Sequence, residues 1–239
     1  MNSYNLDSFN KGLENLGIEL SEHQIEQFIQ YYEILIEWNQ VMNLTAITEF
    51  EEVIEKHFLD SLTIVKACNP SKIKTLLDVG TGAGFPGIPI KIVYPEIEVV
   101  LLDSLNKRIK FLDDVIDKLG LQKIKTIHGR AEDFARNAAY REQFEVVVSR
   151  AVANLSSLSE YCLPYVKTGG RFISYKSGKA QEELEQAKNA VFLLGGKLED
   201  KVEFLLGESH RSFVIIKKVQ KTSKKYPRKA GLPTKEPLN

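Results

Sequence analysis

A glycine-rich stretch from Leu76 to Pro89, LLDVGTGAGFPGIP, constrains the fold of this 239-residue chain more than any other segment. Apolar residues around Asp78 predict a buried strand that ends near a carboxylate, and the apolar run from Ile88 to Val93 predicts a helix. The glycines between them predict a tight loop whose backbone N–H groups, together with the start of the helix, face a small-molecule pocket. The stretch therefore indicates a nucleotide-like ligand.

Predicted strands and helices alternate after residue 71, which indicates a parallel sheet wound by right-handed crossovers. The predicted strands cover 74–79, 97–102, 123–128, 145–148 and 171–176, and the predicted helices cover 106–119, 154–165 and 180–194. The last two predicted strands, 197–206 and 212–219, are joined by only a few residues around Gly207, and so short a connection makes an antiparallel hairpin. We predict an α/β fold whose seven-stranded, mostly parallel sheet ends in this hairpin.

Amphipathic helices are predicted before the sheet, over residues 6–16, after a capping box at Ser21–Gln24, and over 51–67. In the third of these helices His57 and Asp60 lie about one turn apart and are able to hydrogen-bond. We interpret them as a structural pair in preference to substrate contacts.

The formal net charge of zero conceals an uneven distribution of charge. From Lys217 onward there are eight Lys or Arg residues and one acid, which leaves 24 basic and 31 acidic side chains before that point. This asymmetry indicates a polyanionic partner, nucleic acid first and a membrane surface second, although a solvated tail explains the charges equally well. We divide the chain into a helical extension (1–70), an α/β domain (71–219) and a basic tail (220–239) too polar to pack a core.

The composition, with 43% hydrophobic and 27% charged residues, is that of an ordinary soluble globular protein. No apolar run approaches the roughly 20 residues that a membrane span needs, so we expect no membrane association. Cys68 and Cys162 form no spaced metal motif and suggest no disulfide framework. We therefore expect no metal and a reducing, cytoplasmic location.

Two classes of nucleotide-binding enzyme compete for the glycine-rich stretch. Gly82, Gly84 and Gly87 match the GxGxxG pattern of dinucleotide-binding dehydrogenases, and Asp103 ends the next strand about 20 residues on, where an acid accepts ribose hydroxyls. NAD and S-adenosylmethionine both carry an adenosine ribose, so Asp103 does not distinguish them.

Three features favour a methyltransferase over a dehydrogenase. The pattern Asp78-x-Gly80-x-Gly82-x-Gly84 resembles the first motif of the class I methyltransferases that use S-adenosylmethionine. Ala131-Glu132-Asp133 ends the third strand, where those enzymes hold the adenine with a backbone amide and an acid. The closing hairpin resembles the reversed last strand of that fold.

Six segments, in order, resemble one family, the bacterial RsmG (glucose-inhibited division protein B) 16S rRNA guanine-N7 methyltransferases. They are WNQVMNLTAIT, HFLDSL, LLDVGTGAGFPGIP, GRAED, VVSRAVANL and KKYPRKAGLPTKEPL, and they extend from Trp38 to Leu238. The resemblance implies methyl transfer from S-adenosylmethionine, with S-adenosylhomocysteine as product, to N7 of one guanosine in 16S rRNA or the small subunit. We expect a monomeric protein whose methyltransferase domain is residues 71–219.

The resemblance also assigns site residues, and Asp103 is assigned by both the fold and the family. Gly80 and Phe85 are expected to line the cofactor, Ala131 and Glu132 to meet its adenine, and Arg150 to lie beside it. The full set of candidate cofactor-binding residues is Asp78, Gly80, Gly82, Gly84, Phe85, Asp103, Ala131, Glu132 and Arg150. The candidate RNA-binding residues are Lys176, Lys224, Lys225, Tyr226, Arg228 and Lys229.

The implied chemistry needs no general base, because guanine N7 attacks through a lone pair and loses no proton. Accordingly, the sequence after strand four has no Asn/Asp-Pro-Pro-aromatic motif and no cysteine nucleophile, and we interpret Cys162, within the following helix, as core. We expect Arg150 to be a positioning residue that binds the methionine carboxylate or an RNA phosphate. It should not grip guanine through both O6 and N7, which would occupy the nucleophile.

The tail is expected to contact RNA phosphates, with Tyr226 stacking on an unpaired base. Truncation after Gln220 is then expected to weaken RNA binding and leave cofactor binding nearly intact. Two other functions stay open from the residues alone: a methyltransferase acting on a small molecule or protein, which leaves the basic tail without a role, and a nucleotide-dependent oxidoreductase.

Overall fold

A computed structural model describes residues 4–150, 153–177 and 180–238, and it contains a seven-stranded mixed sheet in the order β3-β2-β1-β4-β5-β7-β6. The strands are β1 (Thr75–Val79), β2 (Glu98–Asp103), β3 (Ile124–His128), β4 (Phe144–Arg150), β5 (Val166–Lys176), β6 (Gly196–Leu206) and β7 (Ser209–Lys218). All neighbouring pairs from β3 to β5 are parallel, and β7 is antiparallel to both β5 and β6. The predicted fold class, including the closing hairpin, is confirmed.

Ten α-helical segments surround this sheet in the described part of the chain, together with short 3₁₀ turns and one π-helical stretch. They are α1 (Asp7–Leu16), α2 (Glu22–Met42), α3 (Phe50–Val53), α4 (Asp60–Leu62), α5 (Gly87–Val93), α6 (Asn106–Lys118), α7 (Ala131–Phe134), α8 (Leu155–Cys162), α9 (Ala180–Leu193) and α10 (Leu232–Lys235). None of the helices in these ranges is long and apolar enough to cross a membrane.

The glycine-rich loop lies where the strand order reverses, because β1 has β2 on one side and β4 on the other. At such a switch point the carboxyl ends of the strands leave a crevice between diverging connections. Gly80 and Thr81 are tied to the neighbouring strand by N–H bonds of 2.9 and 3.1 Å to the carbonyl of Leu102. The local sequence and the sheet topology thus place the loop at the same crevice.

The N-terminal helices pack on one face of the sheet through aromatic side chains. Phe28 and Tyr31 of α2 contact Phe58, and Tyr31 also contacts Phe85 after the glycine loop, with ring centroids 5.0–5.4 Å apart. These residues and the strand side chains on that face belong to one buried apolar cluster. The division of the chain at residues 70 and 219 stays a prediction.

The helix predicted over 51–67 is not regular. After α3 the chain forms a π-helical stretch (Ile54–Leu59), then α4, then a 3₁₀ turn (Thr63–Lys66). A π-helical stretch has a wider turn than an α-helix and is frequent at functional sites. Here that stretch carries His57 toward the crevice described below.

The prediction that the tail is too polar to pack is wrong. Tyr226 is only 6% exposed and belongs to the apolar cluster on the opposite sheet face from the N-terminal helices. Arg141 donates to the carbonyls of Thr222, Ser223 and Tyr226, and Arg228 forms an ion pair with the fully buried Glu160. The tail is therefore fixed by the packing of Tyr226 in the apolar cluster and by hydrogen bonds and charge pairing with the domain.

Candidate cofactor and nucleotide site

A cavity of about 540 Å³ opens at the carboxyl ends of β1, β2 and β4, within the ~300–1,000 Å³ usual for small-molecule sites. Seven of the candidate cofactor-binding residues line it: Gly80, Gly82, Phe85, Asp103, Ala131, Glu132 and Arg150. Residues from outside the α/β domain line it too, namely Leu44, Thr45 and His57 before the sheet and Gly231 and Thr234 after it.

The glycines of the loop serve two different purposes. Gly82 has φ +61° and a Cβ there would meet nothing within 4 Å, so backbone conformation rather than space requires glycine. Gly84 is not among the lining residues of the cavity, and a Cβ there would lie 2.6 Å from the Tyr31 hydroxyl oxygen. Of the two candidates, only Gly82 faces the cavity, whereas Gly84, whose φ of +91° also favours glycine, allows α2 to approach the loop.

Asp78 lies beneath the loop and hydrogen-bonds to it, and it does not line the cavity. It is fully buried, and its Oδ2 accepts hydrogen bonds from Thr81 Oγ1 at 2.7 Å and from the Gly87 N–H at 2.9 Å. Its Oδ1 has no hydrogen-bond partner among the described residues. Burial raises the pKa of Asp78 to about 6, although the two hydrogen bonds oppose the rise.

Asp78→Asn is expected to remove a pH-dependent loss of stability. In the parent protein the pKa of about 6 lies above the ordinary value near 4, so the folded state keeps a proton that the unfolded state releases. The free energy of unfolding of the parent therefore falls as pH rises through this window. Because asparagine does not titrate, the variant should gain roughly 3 kcal/mol relative to the parent between about pH 4 and 7. Denaturant titrations across that range test this, and a difference independent of pH would contradict it.

Asp103 ends β2 at the floor of the cavity and is only 2% exposed. Its oxygens accept hydrogen bonds from Gly82 N at 3.0 Å, Leu105 N at 2.9 Å and Arg108 Nη1 at 3.2 Å. A carboxylate offers about four acceptor positions, so one is left for a ligand hydroxyl. A second hydroxyl would have to replace the longest of these bonds, that of Arg108.

The tail completes the side of the cavity that Ala131 and Glu132 form. Glu132 Oε1 accepts the Gly231 N–H at 2.7 Å, and the Thr234 and Tyr161 hydroxyls lie 2.5 Å apart. Sequence reasoning treated this segment as RNA-binding and missed Gly231 and Thr234 as lining residues. The available signal was their place in KKYPRKAGLPTKEPL, one of the six segments that carry the family resemblance.

Arg150 ends β4 and lies between several groups of the cavity wall. Its Nη1 donates to Asp60 Oδ2 at 2.8 Å, its Nη2 lies 3.3 Å from His57 Nδ1, and its guanidinium carbon is 5.1 Å from the Phe85 ring centre. The His57 ring stacks on Phe85 at 4.6 Å. His57 and Asp60 are therefore joined through Arg150, and their interpretation as a structural pair in preference to substrate contacts stays a prediction.

The protonation state of His57 follows from this environment. Burial and, next, the Arg150 charge lower the pKa of His57 to about 4. The imidazole is therefore neutral at neutral pH. Its Nε2 lies 2.9 Å from Thr45 Oγ1, which links the site to the segment after α2.

Comparison with known proteins decides the family. A family model described as GidB, rRNA small subunit methyltransferase G, matches residues 24–214. A ribosomal RNA small subunit methyltransferase G of Lachnoclostridium phytofermentans is 59% identical over 97% of this chain and 96% of that protein. One of Clostridium novyi is 53% identical over 97% of this chain and 96% of that protein. The chain belongs to the GidB family.

Membership of the GidB family confirms the resemblance read from the six sequence segments. Solved structures agree in fold. An M. jannaschii TYW2 in complex with AdoMet is 14% identical with a TM-score of 0.51 over 62% of this chain and 70% of that chain. An MtNAS in complex with MTA and tNA is 15% identical with a TM-score of 0.55 over 82% of this chain and 71% of that chain.

The candidate RNA-binding residues of this GidB-family chain fall into two groups. Lys224, Lys225 and Lys229 are exposed on the tail. Tyr226 is buried and Arg228 is paired with Glu160, so neither presents a free face or charge to RNA. The expected stacking of a base on Tyr226 does not fit this packing.

Lys176 lies apart from the tail, at the end of β5, where its side chain is 10% exposed. Its Nζ donates to the Ala153 carbonyl at 3.0 Å and to Glu183 Oε2 at 2.7 Å. Ala151 and Val152 of the VVSRAVANL segment lie outside the described residues.

Proposed function

We propose that the protein transfers a methyl group from S-adenosylmethionine to N7 of one guanosine in 16S rRNA, either free or in the small ribosomal subunit. Membership of the rRNA small subunit methyltransferase G family, with relatives matched over nearly their whole length, carries this proposal. The cavity at the switch point of the sheet supports it as the place for the cofactor.

The residues of the cavity fit S-adenosylmethionine. The remaining acceptor position of Asp103 suits a ribose hydroxyl, and Ala131 with Glu132 would border the adenine. Gly80 and Phe85 would border the methionine part. When bound, the cofactor supplies an electrophilic methyl group on a positive sulfur.

The protein residues then have to hold two reactants in line and keep water out, since N7 needs no base. Orientation of this kind is worth up to about 7–11 kcal/mol. Arg150 is proposed as a positioning residue: Asp60 holds its guanidinium against Phe85 and offsets a charge that would otherwise oppose the sulfonium. The neutral His57 ring, stacked on Phe85, adds no further positive charge.

A labelling experiment tests the proposal. The protein is incubated with methyl-labelled S-adenosylmethionine and, separately, with naked 16S rRNA, small subunits, tRNA and a protein mixture. We expect label only in the rRNA or small-subunit samples, at a guanosine that is cleaved by chemistry specific for N7-methylguanosine. Label in protein or tRNA, or tight binding of NAD in place of S-adenosylmethionine, would overturn the proposal.

We also propose that the enzyme is a monomer and that it acts in the cytoplasm, where it would meet its rRNA substrate.

A further inference from the structure

The carbonyl of Ala83, in the glycine loop, is bound by a side chain of the N-terminal helices. Ala83 lines the cofactor cavity, and its carbonyl accepts a hydrogen bond from the hydroxyl of Tyr31 in α2. Tyr31 is fully buried and does not line the cavity. The Ala83 carbonyl therefore points into the interior beneath α2, while the residue itself borders the cofactor site.

The usual helical donor to this carbonyl is engaged elsewhere. The N–H of Gly87, four residues after Ala83 and at the start of α5, is the group that would close an α-helical turn onto the Ala83 carbonyl. It donates instead to Asp78 Oδ2 at 2.9 Å. Because a buried carbonyl without a donor costs free energy, the hydroxyl of Tyr31 takes the place that Gly87 leaves.

Tyr31 is itself held closely in this position. Its ring centre lies 5.4 Å from those of Phe58 and Phe85. A Cβ at Gly84 would lie 2.6 Å from the hydroxyl oxygen, so a side chain at that position would displace the hydroxyl. Burial raises the pKa of Tyr31 well above its ordinary value, so the hydroxyl keeps its proton and remains a donor.

The peptide that joins Ala83 to Gly84 can adopt two orientations. Rotation of a peptide plane changes ψ of the residue before it and φ of the residue after it, and glycine adopts positive and negative φ with similar ease. Gly84 has φ +91° in this structure. A hydrogen bond to the Ala83 carbonyl therefore selects one orientation of this peptide, and with it one shape of the cavity wall between Gly82 and Phe85.

We infer that Tyr31 is a positioning residue of the cofactor site: its hydroxyl holds the Ala83 carbonyl away from the cavity and keeps the glycine loop in the shape that receives the cofactor. The inference rests on the proposed function for the identity of that cofactor, S-adenosylmethionine. Tyr31 does not line the cavity and acts through the loop. Without the hydroxyl, only a fraction of the molecules would have the receptive loop, and the apparent Kd rises in inverse proportion to that fraction.

Tyr31→Phe tests this role, because it removes the hydroxyl and keeps the ring that packs against Phe58 and Phe85. We expect the Kd for S-adenosylhomocysteine to rise about tenfold, since the Ala83 carbonyl has lost its donor and the receptive loop is less populated. In the rRNA methylation assay the KM for S-adenosylmethionine should rise by a similar factor. The kcat at saturating cofactor should stay within about twofold of the parent value, because the bound cofactor then holds the loop.

Two other buried tyrosines supply matched controls. The Tyr175 hydroxyl donates to the Ser61 carbonyl at 2.8 Å, and neither residue lines the cofactor cavity, so Tyr175→Phe should lower stability and leave the Kd unchanged. The Tyr165 hydroxyl donates at 2.5 Å to the carbonyl of Ala131 in the cavity wall. That carbonyl also accepts the Ala135 N–H at 3.0 Å and keeps this donor in Tyr165→Phe. The Kd of Tyr165→Phe should therefore change by less than about twofold.

Hydrogen exchange gives a second readout, on the loop itself. The N–H groups of Gly84 and Phe85 donate to the Thr81 carbonyl at 2.9 and 3.0 Å. Without cofactor, these two amides should exchange faster in Tyr31→Phe than in the parent protein, because the loop leaves its receptive shape more often. Saturating S-adenosylhomocysteine should restore the parent exchange rates.

The outcomes separate the inference from the proposed function. An unchanged Kd in Tyr31→Phe, or an equal rise in all three variants, would overturn the positioning role and leave the function standing. A fall in kcat with an unchanged KM would overturn it as well, since the hydroxyl would then act on the chemical step. Failure of the proposed function has a different signature: the parent protein would bind S-adenosylhomocysteine, and Tyr31→Phe would weaken that binding, yet no rRNA would be methylated.

Discussion

Removal of residues 221–239 is expected to lower the affinity for S-adenosylhomocysteine by at least tenfold and to destabilise the fold. The truncation leaves Glu160, which is fully buried, without the Arg228 guanidinium that donates to it at 2.7–3.0 Å. Breaking a buried ion pair by removing one partner costs about 3–5 kcal/mol. The same truncation removes Gly231 and Thr234 from the cofactor cavity and uncovers Glu132. This reverses the expectation, drawn from the sequence, that the tail serves RNA alone.

Calorimetric titration with S-adenosylhomocysteine and denaturant unfolding measure the two effects. The matched control is Lys224→Ala with Lys229→Ala, which removes exposed charges from the same segment. It should change the free energy of unfolding by less than about 0.5 kcal/mol and leave the cofactor Kd as it is. In Arg228→Met the loss of stability should appear without truncation. A truncated protein that binds S-adenosylhomocysteine as tightly as the full chain would contradict the role given to the tail.

Asp60→Ala is expected to lower the free energy of unfolding by about 3–5 kcal/mol and to slow methyl transfer by as much as about 100-fold. Asp60 is 4% exposed, and its two oxygens each accept a hydrogen bond of 2.8 Å, from Arg150 and from Arg211. Without Asp60, the guanidinium groups of Arg150 and Arg211 have lost their shared counter-charge. The two arginine side chains are only 16% and 24% exposed, so water compensates their charges incompletely. Arg150 then loses one of the hydrogen bonds that hold its guanidinium beside Phe85.

A double-mutant cycle isolates this interaction from a general loss of packing. Adding Arg211→Met to Asp60→Ala removes one of the two uncompensated charges, so the double variant should be more stable than the sum of the single losses predicts. Asp117→Ala, on the exposed side of α6, serves as the control and should lie within about 0.5 kcal/mol of the parent. If the single and double variants add without coupling, the carboxylate does not hold the two arginines in place.

The sheet was predictable because its signals are local. The strand before Gly80 and the hairpin around Gly207 follow from apolar runs and turn residues within a few positions, and both were found close to their predicted bounds. Gly82 and Asp103 were assignable because the loop and the next strand end are fixed by the same fold. Each of these features depends on neighbours in sequence or on the regular order of strands.

The rest depends on pairs of residues far apart in sequence, which no local pattern reveals. Arg211 meets Asp60 across 151 positions, and Arg228 meets Glu160 across 68. The polar composition of the tail suggested solvation because its partners, Glu160 and Arg141, belong to another part of the chain. Asp78 was assigned to the cofactor because it begins the pattern Asp78-x-Gly80-x-Gly82-x-Gly84, but its side chain faces the interior beneath the loop.

The position of Gly231 in the cavity wall has a consequence for synthesis of the chain. Translation proceeds from the amino end, so β1, the glycine loop and Asp103 leave the ribosome long before the segment that closes the wall over Glu132. In a nascent or prematurely terminated chain that stops before residue 231, the cavity would be open on this side and would bind the cofactor weakly. The cavity wall is therefore completed late in synthesis, after almost the whole chain has left the ribosome.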